Sequence, residues 1–323
     1  NYMTFHYFLD SNVKNGSQEF YFDDGNTTNA FEKEMFEIIF HYYSCEISGE
    51  QFTTTELDEV NMNQVYNKYR DKFNITFPDE ILRIREKYGL SAAKMSEILG
   101  LGVNSYRQYE SGEMPSVANA KLIQMVDDPK KFIAMIELCG TLEEKSKVKL
   151  IQKAQLLSEE NDRNSVNSNF KEYLLGNRMA DIYSGYRNPN FEKFTEMVVF
   201  FTDKLSPFKT KMNKLLFYAD FFMFKQSCFS ISGLRYNAID MGPVPNNFQS
   251  IFEYLVNKEE IEIQTTEFPN GYTGEQFKTR KGRVFNADLF TENELFTLEK
   301  EIASYKVESL PRELLLEAKQ KGF

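Results

Sequence analysis

The fold of the C-terminal part is decided by KMNKLLFYADFFMFKQSCFSISGLRYNAIDMGPVP, which runs from Lys211 to Pro245. Apolar residues recur at intervals of three and four in its first half, as they do on one face of an amphipathic helix. The residues on this face are Met212, Leu215, Leu216, Ala219, Phe222 and Met223. The spacing predicts a helix over Lys209–Lys225, and the segment Leu234–Met241 is predicted to be extended.

Four residues, Gly242-Pro243-Val244-Pro245, follow the extended segment. Glycine adopts positive φ without strain, whereas each proline has a fixed φ and no N–H to donate. A proline inside a sheet leaves one position of the hydrogen-bond ladder without a donor. The sequence therefore predicts a stiff turn that does not join a sheet.

Taken in order, the motifs K-x-x-K-L-L-x-Y-A-D, S-G-x-x-Y and G-P-V-P resemble the Panacea (SocA-like) domain family. The matching residues are Lys211, Lys214, Leu215, Leu216, Tyr218, Ala219, Asp220, Gly233, Tyr236 and the four turn residues. This family neutralises toxins encoded in toxin–antitoxin operons. The resemblance implies that the C-terminal domain binds a cognate protein toxin.

We expect the toxin-binding surface to include the predicted helix and turn, because a rigid turn loses little entropy on binding and exposed aromatic residues are good anchors. The alternative is that these side chains pack the domain core, which is our interpretation for Leu215, Ala219 and Phe222. The predicted toxin-binding residues are Lys214, Tyr218, Asp220, Phe221, Tyr236, Gly242, Pro243, Val244, Pro245 and Asn246.

The central segment, residues 76–157, is predicted to be a series of short helices joined by tight turns that end at glycine, which is the layout of a helix-turn-helix domain. On the helix predicted at Val103–Ser111, Val103, Tyr106 and Tyr109 share one side, and polar residues share the other. Asparagine and glutamine pair well with adenine, and arginine with guanine. The alternative is an ordinary solvated helix face. The predicted DNA-binding residues are Asn104, Arg107, Gln108, Ser111, Lys94 and Ser105.

The residues around this helix resemble a Cro/repressor-type helix-turn-helix, with Leu90-Ser91, Leu99-Gly100 and Pro115 at the expected places. More narrowly, the pattern G-V-N-x-Y-x-x-Y-E-x-G resembles the DNA-binding domain of the MqsA antitoxin family. That resemblance implies that Asn104 contacts bases. The family's second base-contacting arginine is replaced here by Gln108, and Arg107 is expected to substitute for it. Tyr109 and Glu110 are assigned structural roles.

The MqsA family also has a zinc ribbon upstream, with two Cys-x-x-Cys motifs. Here Cys45-Glu46-Ile47-Ser48 has serine in place of the second thiolate, and His6 and His41 are the other candidate ligands. A structural zinc site needs four ligands in a tetrahedral arrangement. The sequence therefore predicts a degenerate ribbon without metal or cofactor, with Cys45 as a buried apolar residue.

The predicted fold class is mainly α with small β elements (α+β). The predicted domains are a degenerate MqsA-like ribbon at 1–75, a helix-turn-helix bundle at 76–157, a polar linker at 158–185 and an α+β Panacea domain at 186–323. In the ribbon, Met35–Tyr43 is predicted to be a strand with Phe36, Ile38, Phe40 and Tyr42 on one face. A helix is expected from Thr55 to about Lys72.

Composition and charge limit the function. The net charge of −10 over 323 residues argues against a protein that coats nucleic acid non-specifically. Residues 1–75 contain 13 acidic and 5 basic side chains, whereas residues 76–155 contain 11 and 12, so the central segment does not repel phosphate.

Other functional classes are disfavoured by what the sequence lacks. Two histidines, together with the absence of nucleophile, phosphate-loop and dinucleotide motifs, predict that the chain is not an enzyme. Three scattered cysteines favour a reducing cytoplasm. No run of about 18 apolar residues occurs, so no membrane-spanning helix is expected.

Two functions therefore stay open. The first is an antitoxin that represses its own operon by binding operator DNA; the second is a transcription regulator whose C-terminal domain senses a ligand or partner. A homodimer is expected in both cases, because a single recognition helix contacts only a few base pairs. We expect the dimer interface on the fourth and fifth central helices, at Leu122, Ile123, Phe132 and Ile136.

Overall fold

The chain is mainly helical with small antiparallel sheets, as predicted. The computed structural model describes residues 14–22, 34–45, 48, 50–163, 174–175, 180–268, 271 and 273–308. Within this range the chain divides into two compact units, one formed by residues 14–163 and the other by residues 174–308. The boundary predicted between residues 75 and 76 falls inside the first unit.

The N-terminal unit combines a small sheet with seven helices in its described residues. Its elements are β1 (Lys14–Phe22), β2 (Glu34–Ser44), β3 (Gln51–Phe52), α1 (Thr55–Phe73), α2 (Pro78–Lys87), α3 (Ala92–Ile98), α4 (Ser105–Glu110), α5 (Val117–Met125), α6 (Pro129–Leu138) and α7 (Glu144–Arg163). The sheet is antiparallel in the order β1-β2-β3, with Lys14 opposite Tyr42 and Phe22 opposite Glu34.

Two carboxamide side chains of α1 form hydrogen bonds with backbone groups of β2 at positions that do not pair with β3. Gln64 bonds both the N–H and the C=O of Ile39, at 3.0 and 2.7 Å. One turn earlier, Asn61 does the same for His41, at 2.8 and 3.0 Å. Asn61 and Gln64, three residues apart on the helix, thus pair with His41 and Ile39, two residues apart on the strand. Helix α1 therefore takes the place of a neighbouring strand.

Two clusters of buried side chains form the interior of this unit. Phe36 and Ile38 of β2 pack with Val65 and Tyr69 of α1 and with Ala120 of α5. The larger cluster lies among α2–α7. It includes Tyr88, Met95, Tyr106, Ile123, Phe132, Ile136 and Ala154.

The residues predicted to form the dimer interface are not exposed on the surface, so that prediction is wrong. Ile123, Phe132 and Ile136 are fully buried in the core of their own unit, where the Phe132 ring stacks on Tyr88 at 3.9 Å. Leu122 is half-buried against the same core. These apolar positions fill the interior of one chain, and a second copy cannot reach them.

The described residues of the C-terminal unit form helices that pack with two β-hairpins. Its elements are a 3₁₀ turn (Ile182–Ser184), α8 (Phe191–Leu205), α9 (Lys209–Ser227), β4 (Tyr236–Ile239), β5 (Gly242–Pro245), α10 (Phe248–Asn257), β6 (Ile261–Glu267), β7 (Thr273–Thr279), a second 3₁₀ turn (Ala287–Leu289) and α11 (Glu292–Glu308). The apolar face predicted for α9 is buried except at Phe222, which is half-buried under the Lys300 ammonium group.

The prediction that Gly242–Pro245 does not join a sheet is wrong. These residues form β5, which pairs antiparallel with β4 in a register from Tyr236 opposite Pro245 to Ile239 opposite Gly242. The N–H of Asn246 donates to the carbonyl of Arg235 at 2.8 Å. Alternate residues of a strand point their N–H groups the same way, so Gly242 and Val244 face β4 and both prolines face away. The tight turn is instead Asp240–Met241.

The segment predicted as a linker, residues 158–185, is partly folded. Helix α7 continues to Arg163, and residues 164–173 and 176–179 lie outside the described range. Asp181 caps the first 3₁₀ turn and forms an ion pair of 2.6 Å with Arg235, so the end of the segment belongs to the C-terminal unit. Among the described helices, none has the length and hydropathy needed to cross a membrane.

Candidate functional site

The centre of the C-terminal unit is a buried carboxylate, Asp220 on α9. Its Oδ1 accepts the backbone N–H groups of Ile231 and Ser232, both at 2.8 Å. Its Oδ2 accepts the hydroxyl groups of Ser232 and Tyr236, the latter at 2.7 Å. Burial raises the pKa of Asp220, and the hydrogen bonds from Ser232, Tyr236 and Ile231 oppose that rise.

This cluster explains the motif residues that follow the helix. Through one carboxylate, α9 is hydrogen-bonded to the loop Ser230–Ser232 and to the first residue of β4. Gly233 has φ +71°, and a Cβ there would lie 2.4 Å from the carbonyl oxygen of Asn188, so only glycine fits. The Tyr236 hydroxyl also lies 2.9 Å from the carbonyl of Leu216. Asp220, Gly233 and Tyr236 therefore hold the fold together.

The prediction that Phe221 and Tyr236 are exposed aromatic anchors is wrong. Phe221 is 6 % exposed and Tyr236 is 0 % exposed, and their rings pack against each other at 6.0 Å. Asp220, which was predicted to bind the toxin, is also buried, and its carboxylate accepts four hydrogen bonds from within the unit. Val244 and Pro245 are buried as well.

The other predicted toxin-binding residues reach the surface. Tyr218 is 48 % exposed, one helical position from the buried Phe217. Lys214, Gly242, Pro243 and Asn246 are half-buried. The exposed part of the predicted set is therefore the Lys214–Tyr218 side of α9, together with the outer face of the β4–β5 hairpin.

In the N-terminal unit, four of the predicted DNA-binding side chains lie on one exposed surface of α4. Asn104, Arg107, Gln108 and Ser111 are exposed. Asn104 occupies the N-cap position, but its side chain makes no capping hydrogen bond and is left for other contacts. The polar face predicted from the helical period is therefore exposed, as expected.

The two remaining predicted DNA contacts, Ser105 and Lys94, are half-buried. The Lys94 ammonium group lies 2.8 Å from Glu97 Oε2, an ion pair that together with Thr141 lowers the pKa of Glu97. Val103 was expected on the buried side, but it is 77 % exposed. Because α4 begins at Ser105, the helical period does not extend back to Val103.

The buried side of α4 is fixed by polar contacts as well as by packing. The Tyr106 hydroxyl donates to the Ile81 carbonyl at 2.9 Å, and its N–H donates to Ser96 Oγ at 3.1 Å. Glu110 forms a two-point ion pair with Arg85, and Asn119 donates to the Tyr109 hydroxyl at 3.0 Å. The structural roles predicted for Tyr109 and Glu110 agree with these contacts.

The sequence did not indicate Arg85 as a support for α4. Arg85 also donates to the Leu90 carbonyl at 2.6 Å, so one guanidinium group joins α2, the next turn and α4. An arginine in the last turn of a helix looks like an ordinary favourable charge at the C-terminus. Only the fold brings it to Glu110, 25 residues later.

The ribbon segment differs from the prediction in one respect. Cys45 is half-buried rather than buried, and its N–H donates to the Glu50 carbonyl at 2.8 Å. His41 is buried on β2, and His6 lies outside the described residues. In the described part of the chain, no group of three or more metal-ligating side chains is close enough to hold an ion.

Comparison with known families gives one match in each of the two units. Residues 212–309, which include the Asp220 cluster and both hairpins, match the family described as antitoxin SocA-like, Panacea domain. Residues 23–136, which include β2, β3 and α1–α5, match the family described as the antitoxin component of a bacterial toxin–antitoxin system, MqsA. Each of the two units therefore contains a segment that matches an antitoxin family.

The predicted fusion of an MqsA-like region to a Panacea domain is thereby confirmed. Searches of curated proteins and of solved structures found no match. The domain boundaries and the roles of the individual site residues stay predictions.

Proposed function

We propose that this protein is a cytoplasmic antitoxin that binds and neutralises a cognate protein toxin through its Panacea domain and represses its own operon through its N-terminal unit. The observation that supports this most directly is that one chain contains segments that match two antitoxin families. The function is binding, without a catalytic step.

For DNA binding, α3 and α4 serve as the two helices of a helix-turn-helix, and α4 enters the major groove. Asn104 and Gln108 pair with base edges, and Arg107 takes either a guanine or a phosphate. The fixed inner face of α4, with Tyr106, Tyr109 and Glu110 all bonded, keeps these side chains in register. Because Lys94 is already paired with Glu97, its contribution to phosphate binding is small.

The chain acts on its operator as a homodimer. One recognition helix covers only a few base pairs, so two half-sites about one helical turn apart are required for specific affinity. The apolar residues predicted for the dimer interface are internal, so the contact uses other surface residues of the N-terminal unit. Leu138 and Leu156, which are 79 % and 60 % exposed on α6 and α7, are the candidates.

The test is co-expression with the cognate toxin, with growth and promoter activity read in the same cells. We expect the full chain to restore growth and to lower transcription from its own promoter. Asn104→Ala should restore growth but fail to repress. Loss of growth rescue with repression intact would support instead a transcription regulator whose C-terminal domain senses a ligand or partner.

A further inference from the structure

A cleft of about 250 Å³ opens beside the β4–β5 hairpin in the C-terminal unit. It lies where the first turns of α9 and α10 meet the hairpin. The residues that line it are Lys209, Thr210, Asn213, Ile239, Met241, Pro243, Val244, Phe248 and Gln249.

Two helix N-termini line this cleft. Helix α9 begins at Lys209 and α10 at Phe248, and neither has an acidic side chain in its first turn or a side-chain hydrogen bond from its N-cap residue. The N-cap residue of α10, Asn247, donates its side chain to the Leu174 carbonyl instead, at 3.1 Å. The first N–H groups of a helix have no partner within it and carry partial positive charge, so both helix ends favour an anion.

Lysines add to the positive potential at the same place. Lys209 reaches Glu275 at 2.6 Å, so its charge is already partly balanced. Lys214 passes beside Gly242, where a Cβ would lie 3.5 Å from its Cε. Among the side chains that the structure describes, no carboxylate lies within ion-pair distance of Lys214. Lys214 is not among the residues that line the cleft, but its side chain passes beside Gly242, between the lining residues Met241 and Pro243, so a ligand that extends to the hairpin can engage its charge.

A buried amide indicates that the ligand also has hydrogen-bond donors. Asn213 lines the cleft and is only 4 % exposed, and its Oδ1 has no hydrogen-bond partner in the described part of the chain. A buried acceptor without a partner costs free energy, which a ligand N–H recovers. An inorganic anion has no such donor, whereas a peptide backbone does.

The rim of the cleft is apolar. Ile239 and Met241 on the hairpin are 45 % and 68 % exposed, and Pro243 and Phe248 continue this surface inward. Exposed apolar residues next to a charged recess are typical of a site that takes a side chain together with a charge. The carboxylate and the apolar group of the ligand must therefore be neighbours.

We propose that this cleft binds an acidic peptide segment of the toxin. The carboxylate sits between the two helix N-termini and Lys214, a backbone N–H of the segment donates to Asn213, and an adjacent apolar side chain covers Ile239 and Met241. This inference rests on the proposed function, because it names the chemistry through which the Panacea domain would hold its toxin.

The cleft is tested first with short peptides and the full chain, by following the backbone amide signals of Thr210 and Gln249 in NMR spectra. Acetyl-Leu-Asp-Ile-amide should shift both signals, and acetyl-Leu-Asn-Ile-amide should not. Acetyl-Leu-Ala-Ile with a free C-terminus separates a side-chain carboxylate from a terminal one. Absence of any shift, or an equal shift with the asparagine peptide, would overturn the proposal.

Two variants place a negative charge in the cleft or next to it. Lys214→Glu removes the free cation, and Thr210→Asp puts a carboxylate in the first turn of α9, where it stabilises the helix but competes with the ligand. Both should weaken binding of the aspartate peptide by about tenfold or more. Lys204→Glu on α8 makes the same charge change at an exposed position on a different helix from Lys214 and should leave peptide binding unaffected.

The same variants, co-expressed with the toxin, separate this inference from the proposed function. If the unmodified chain restores growth and Lys214→Glu does not, both stand. If Lys214→Glu restores growth as well as the unmodified chain does, the antitoxin function stands and the cleft is not the toxin site. If the unmodified chain does not restore growth, the proposed function fails, and the peptide shifts alone decide whether the cleft binds acidic segments.

Discussion

At the scale of single residues, the Panacea motif contains side chains of two kinds. Asp220, Gly233 and Tyr236 are buried and join α9 to the chain that follows it, whereas Lys214 and Tyr218 reach the surface. A sequence motif alone does not separate them, because a tyrosine or aspartate on a helix fits either a core or a surface. The separation requires knowing where the chain returns after the helix.

We expect Asp220→Ala to destabilise the C-terminal unit by about 3 kcal/mol or more, since each buried donor left without an acceptor costs about 1–3 kcal/mol. The four affected donors are two backbone N–H groups and two hydroxyls. Thermal unfolding of the full chain measures the effect. Tyr218→Ala on the same helix is the control and should change the melting temperature little. An unchanged melting temperature for Asp220→Ala would refute the structural role of the carboxylate.

For the exposed face of α4, Asn104→Ala and Arg107→Ala should each weaken operator binding by about 1–3 kcal/mol without changing stability. Fluorescence anisotropy with the chain's own promoter fragment gives the affinity. Lys149→Ala, an exposed change on α7, is the matched control. If Arg107 contacts phosphate rather than a base, its variant should lose affinity equally on unrelated DNA. Full affinity in both variants would show that α4 does not contact bases.

At the scale of elements, the predicted helices and the strand predicted at Met35–Tyr43 are present, whereas β5 was not predicted to be a strand. The helix predicted from Thr55 to about Lys72 is observed as α1 (Thr55–Phe73), and the helix predicted at Val103–Ser111 is observed as α4 (Ser105–Glu110). Strand β5 was missed because two prolines in four residues argue against a strand. The two prolines are two residues apart, so the nitrogen atoms of both face away from the partner strand. This can be seen only when the register is known.

The position of each N–H in β5 leads to a prediction about proline. Val244→Pro should destabilise the C-terminal unit by about 1–3 kcal/mol more than Val244→Ala, because only the proline removes a donor that faces β4. Pro243→Ala should cost less than about 1 kcal/mol, since its nitrogen faces away from the partner strand. Denaturant unfolding of the three variants gives the comparison. Equal losses for the two Val244 variants would contradict the register.

At the scale of the whole molecule, the charge distribution and motifs indicated separate N- and C-terminal functions, and the chain does fold as two compact units. The sequence did not reveal that the sheet, α1 and α5 share one core, since Phe36 and Ala120 are far apart in the chain. It also overestimated the linker, because a polar composition does not distinguish a solvated helix such as the end of α7 from an unstructured connection.

We expect residues 166–323 alone to restore growth against the toxin, and residues 1–165 alone to bind the operator as a dimer. Each fragment retains the buried clusters of its own unit. Native mass spectrometry of the N-terminal fragment on operator DNA should give two chains per duplex. Rescue of growth by the N-terminal fragment, and not by the C-terminal one, would assign toxin binding to the MqsA-like region instead.

The Asp220 cluster has a consequence for how the specificity of the proposed cleft can change. The hydrogen bonds of this carboxylate connect three segments of the C-terminal unit, and none of them involves Ile239 or Met241 on the rim or Gln249 in the lining. If the cleft holds the toxin as we propose, substitutions at these three positions alter which ligand fits, while the hydrogen bonds to Asp220 stay in place. Specificity can then change by single surface substitutions, each of which leaves the buried frame intact.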